Sequence, residues 1–151
     1  MKLRPLILAL SMLATPLALA HTDDYLDTLK TPNGGQMRMA GAYHFELVVA
    51  KDSKEAKENS VVVHVTDHAD AKVATVGASG TATLLVGKEK VTVTLMPDGD
   101  NRLKGTGKYA TSADMKAVVS VTMPGKAAES ARFTPLVIKQ SKPADPHAGH
   151  H

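Results

Sequence analysis

The chain has 151 residues, 18 Lys+Arg against 15 Asp+Glu, seven His, no Cys and no Trp. Without cysteine there is no disulfide, no lipoprotein anchor and no cysteine nucleophile. With only two Phe and three Tyr, there is little to stack on bases or sugars. The formal charge is +3, but Lys2 and Arg4 lie in the first twenty residues, and without them the excess falls to +1. No basic stripe remains, so a nucleic-acid partner is not expected.

Residues 1–20 read as a secretory signal peptide. Two positive charges, Lys2 and Arg4, precede an apolar run from Leu6 to Ala14, and Ala18-Leu19-Ala20 closes the stretch with small residues at −3 and −1. The run is shorter than the roughly 20 residues that span a bilayer, and no second one follows, so no membrane insertion of the mature chain is expected. The expected location is the periplasm, with His21 as the first mature residue.

Residues 21–30 form an N-terminal arm or helical turn carrying Asp23, Asp24 and Asp27. It runs into the loop Thr31-Pro32-Asn33-Gly34-Gly35. Strand patterns fill residues 31–138. Gln36 to Ala40 is brief. Tyr43 to Ala50 alternates, with Tyr43, Phe45, Leu47 and Val49 facing one way and His44, Glu46 and Val48 the other. Lys51 to Asn59 is a charged connection. Ser60 to Thr66 follows, with Val61, Val63 and Val65 on one face. Further strands cover Thr75 to Val86, Lys90 to Met96, Arg102 to Tyr109, Met115 to Met123 and Ala131 to Ile138. Turn signals at Pro97-Asp98-Gly99-Asp100-Asn101 and Pro124-Gly125-Lys126 separate some of them. The expected fold is all-β, an Ig-like antiparallel β-sandwich of seven or eight short strands, preferred to a barrel on frequency alone. Its core is built from Val, Leu, Ile, Phe45 and Phe133. Residues 139–151 hold nothing that could fill a core and read as a disordered tail.

Four features could carry chemistry. In the tail, His147, His150 and His151 lie within five residues, and neutral imidazole is a common ligand for copper, zinc and nickel. His21, once at the terminus, can chelate copper through its own amine and imidazole. Otherwise it is an exposed end.

The hairpin around Gly41 has two possible registers. If the turn is Gly41-Ala42, then Met39 faces His44 and Met37 faces Glu46, and Met37, Met39 and His44 form a cluster suited to copper(I). If the loop is Ala40-Gly41-Ala42, both methionines are core. The fourth feature is His64 and His68, about 13 Å apart along a strand and unable to share an ion unless the chain turns at Asp67. Catalytic patterns such as G-x-S-x-G, H-E-x-x-H or a phosphate loop are missing. The chain is not expected to be an enzyme.

The segment Asn33-Gly34-Gly35-Gln36, followed by Tyr43-His44-Phe45-Glu46-Leu47-Val48, resembles a family of small periplasmic proteins found with heavy-metal efflux and copper-resistance systems. The stretches Gly77 to Thr83, Val93 to Pro97 and Ala131-Arg132-Phe133 also look like that family, which has His where this chain has Asn33. The resemblance implies an association with metal handling. The leading expectation is a periplasmic metal-binding protein acting as carrier, buffer or resistance factor, copper first and zinc or nickel as alternatives. The alternative is a non-catalytic β-sandwich module docking on a metal-efflux or envelope complex.

Overall fold

The computed structural model describes residues 21–137. Residues 1–20, expected to be a signal peptide, and residues 138–151, with His147, His150 and His151, lie outside the described residues. A single helical turn, α1 (Asp23–Leu26), precedes eight strands: β1 (Gln36–Ala40), β2 (Tyr43–Val49), β3 (Lys57–Asp67), β4 (Ser79–Val86), β5 (Glu89–Pro97), β6 (Arg102–Tyr109), β7 (Lys116–Thr122) and β8 (Ala128–Phe133). All pairings are antiparallel, and the spatial order is β1-β2-β3-β6-β5-β4-β7-β8.

The all-β expectation holds, with eight strands. The two layers are one nearly closed sheet. β5 joins the halves, pairing with β4 along most of its length and with β6 only through Met96 and Pro97. Gly105 makes the junction possible, since a Cβ there would run into the carbonyl of Thr94. At the other end β1 and β8 meet without a ladder. Gln36 bridges them, accepting from the Thr134 backbone N–H at 2.8 Å and donating to Thr134 Oγ1 at 3.4 Å.

The core fills the inside of this sheet by period-two alternation. Phe45, Leu47, Val61, Val63, Val65, Leu84, Val93, Leu95, Val119, Val121 and Phe133 are buried there. Tyr109 closes one end: its hydroxyl donates to the Ser60 carbonyl at 2.6 Å and accepts from Ala50 N–H at 3.1 Å. Strand ends moved by a few residues from the sequence reading. β3 starts at Lys57, inside the stretch expected to be a charged connection, and Asn59 Nδ2 ties it to Ser53 Oγ and the Tyr109 carbonyl, both at 2.8 Å. The last strand runs earlier than expected and stops at Phe133, ahead of Pro135, which lacks the N–H a ladder needs.

Candidate functional site

The N-terminal arm creates the site. Thr22 caps α1, accepting from Tyr25 N–H at 3.3 Å, and Asp23 and Asp24 in the first turn suit the positive end of the helix. A turn this short does not hold itself together. Tertiary contacts hold it. Leu26 is buried, and Arg38 Nη1 and Nη2 donate to the two Asp27 carboxylate oxygens at 2.7 and 3.2 Å. Gln36 Nε2 adds a bond to Asp27 Oδ1 at 3.1 Å. Both side chains of the Arg38–Asp27 pair are 7% exposed.

Beyond α1 the loop lies on the outer face of β2. Glu46 accepts from Asn33 N–H at 2.9 Å and Gly35 N–H at 3.0 Å through Oε1, and from Asn33 Nδ2 at 2.9 Å through Oε2. Gly35 permits this approach, because a Cβ would meet the Leu47 carbonyl. Asn33, the departure from the resembled pattern, is therefore a clamp on Glu46.

The hairpin register is settled by the turn. Gly41 has φ +57° and Ala42 is not in the left-handed region, the type II′ pattern. Met39 faces His44 and Met37 faces Glu46. Both methionines stand on the outer face with His44, not on the Phe45 side. Met37 is buried and Met39 partly buried.

His44 is the centre of the arrangement. It is 3% exposed, and neither ring nitrogen has a hydrogen-bond partner. Its Nδ1 lies 3.4 Å from Asp70 Oδ1, at ion-pair distance but not aligned as a hydrogen bond. Two other imidazoles flank it. The His68 ring stacks at 5.0 Å between centroids, and the His21 ring, at the start of the arm, lies at 6.0 Å.

His68 reaches this position because the chain does turn at Asp67. Asp67 Oδ1 accepts from Ala69 and Ala71 N–H at 2.8 and 2.9 Å, and Asp70 takes the left-handed conformation at φ 60°. The turn brings His68 to His44 rather than to His64. His64 stands one row away, opposite Glu46 and Arg102.

Burial pushes the His44 imidazole below its ordinary pKa. His68 and, more weakly, His21 act in the same direction, and Asp70 opposes them. His64 is also lowered, by burial first, with Arg102 and Lys72 adding to the effect and Glu46 opposing it. A neutral imidazole keeps a lone pair for a metal.

Among the described residues, no three His, Cys, Asp or Glu side chains already stand in a ligating constellation. Beside the histidines is a cavity of about 780 Å³, lined in part by Met37, Glu46, His64, Asp70 and Arg102. Sequence reasoning placed His21, Met37, Met39 and His44 among the candidates, and His21, Met39 and His44 come together here. It considered His68 only as a possible partner of His64 through a turn at Asp67, and did not join it to His44. The Asp67-His68-Ala69-Asp70 run, rich in turn formers, was the available signal. Searches against protein families, curated proteins and solved structures match nothing to this chain.

Proposed function

We propose that this protein binds a single transition-metal ion, copper first with zinc or nickel as alternatives, and serves in the periplasm as a carrier, buffer or resistance factor. The observation that carries the reading is His44: a buried imidazole with no hydrogen bond to either nitrogen, its Nδ1 facing Asp70 at 3.4 Å and the His68 and His21 rings close by. Buried polar atoms are ordinarily hydrogen-bonded, and leaving one unpaired costs about 1–3 kcal/mol. An ion would satisfy this one. His44 and His68 would be the ligands. Met39, opposite His44, would supply a soft thioether, and His21 would complete the set from the arm. Rotation of these side chains, rather than refolding, would bring the donors together. The resemblance to proteins of metal-efflux and copper-resistance systems points the same way.

The test is a titration of protein starting at His21 with copper(I), copper(II) and zinc against a competing chelator. A parallel protein ends at Lys139, which separates the tail histidines from the folded site. One-to-one binding is expected in both, weakened roughly 10- to 100-fold or more by His44→Ala or His68→Ala. Affinity that both substitutions leave unchanged, or that disappears with the tail, would overturn the reading.

A further inference from the structure

The outer face of the other half of the sheet carries no arm. Strands β5, β4, β7 and β8 lie side by side there. In register, Leu85 stands between Lys90 and Lys116, and Val118 stands between Thr83 and Arg132. Leu85 and Val118 are 41% and 42% exposed on a face where strand alternation would place polar residues. They belong to a groove of about 670 Å³ whose floor continues through Ala117 and Phe133 to the seam beneath α1. Lys90, Lys116 and Arg132 frame it, and Asp23 and Asp24 form the wall at the seam.

We propose that this groove docks a protein partner through an extended segment in which aliphatic side chains alternate with carboxylates. The charge layout selects this occupant. Lys90 on β5 and Arg132 on β8 lie three strand spacings apart across the sheet, about 14 Å, and two residues apart along the strands. The cations stand on both sides of the apolar strip rather than at one end. An acyl chain with a single carboxylate would meet one of them and leave the others unmatched. A segment with carboxylates spaced along it meets all three while its aliphatic side chains cover Leu85 and Val118. The carboxylates of α1 at the seam oppose the approach of further carboxylates there, which keeps the acidic side chains of the segment toward Lys90, Lys116 and Arg132. The proposal is independent of metal binding, because no groove residue belongs to the His44 cluster.

The test uses isotope-labelled protein expressed from the full chain and a short capped peptide of alternating glutamate and leucine, followed by NMR. The expected result is saturable shift changes centred on Thr83, Leu85, Lys90, Lys116, Val118 and Arg132. Binding should weaken roughly tenfold or more in K116E/R132E and with added salt, and should be unchanged in H44A. Both charge reversals are at exposed strand positions, and the unperturbed part of the spectrum reports that the variant is folded. Four outcomes would overturn the proposal: no saturable shifts, shifts centred elsewhere, equal binding of a lysine–leucine peptide, or occupancy by dodecanoate with none by the peptide. The last would assign the groove to a lipid-like amphiphile.

Discussion

The two halves of the sheet share one core but have opposite exteriors. Outside β1 and β2, where polar residues are expected, Met37, His44 and Glu46 are buried, and Arg38 is buried at the neighbouring seam. Outside β4 and β7, which none of the described residues covers, Leu85 and Val118 are exposed beside Lys90, Lys116 and Arg132. The arm makes the difference. A polar side chain can be buried only if its bonds are satisfied. Arg38 and Glu46 are satisfied, by Asp27 and by the Asn33–Gly35 loop. Among the described residues of that layer, His44 has no hydrogen bond to either nitrogen. The covered face is thus structurally complete at every buried charge and chemically open at one imidazole. The open face has the reverse character: no buried polar group among the described residues, and apolar surface that water covers only at a cost.

The comparison is broken most directly by detaching the arm. Arg38→Gln leaves Asp27 in place without its guanidinium. Removing one partner of a buried ion pair costs about 3–5 kcal/mol, and the lower end is expected because Gln36 Nε2 still donates to Asp27. The measurement is the urea midpoint, paired with a metal titration. His21 reaches His44 only while the arm is docked, so affinity should fall although no ligand has been changed. A stable variant of unchanged affinity would show that the arm is packing and nothing more.

A smaller loss comes from the second attachment. Glu46→Gln keeps the shape but gives up the charge-assisted bonds from Asn33 and Gly35 and sets an amide NH2 against donors. The expected cost is about 2 kcal/mol, read from the same midpoint, and amide exchange should quicken through residues 31–35. If the loop stays protected, the clamp is not what holds it.

The histidines give the covered face a pH dependence that the open face lacks. Burial lowers the folded-state pKa of both His44 and His64. The unfolded chain, with ordinary imidazoles near 6.5, therefore takes up protons before the folded one does. Their contribution to stability is complete above about 6.5, and it is lost as pH falls through the lowered folded values. Thermal melts of metal-free protein should show this decline, and H44Q should flatten it. An unchanged slope in H44Q would place the effect on other groups.

Much of this was legible in the sequence, for a physical reason. Period-two alternation assigned Phe45, Leu47, Val61, Val63, Val65, Ala117, Val119, Val121 and Met123 to the core, and all are buried. Gly41-Ala42 offered a type II′ turn and with it the register that puts Met39 opposite His44. What alternation cannot show is a third layer. It sorts residues into two faces and does not say that an arm and loop, residues 21–35, pack against one of them. Hence the sequence places His44 and Glu46 on the face away from Phe45 but does not show that they are buried there. The stacking of His68 on His44 depends on the turn that begins at Asp67, and alternation along β3 does not say which side chain a residue beyond that turn will meet.

The smallest effect expected is on the open face, and its smallness is informative. Leu85→Ser and Val118→Thr remove apolar groups that are already two-fifths exposed. Substitutions at such sites usually change stability by no more than about 0.5 kcal/mol. If the exposed pair served folding, each change would cost several times that, as truncation of a buried Leu does. Stability within that margin, together with lost affinity for the glutamate–leucine peptide, would mean that the residues are kept for what they touch rather than for the fold. A large loss of stability would instead mean that the groove closes in solution and that the two exteriors are less different than they look.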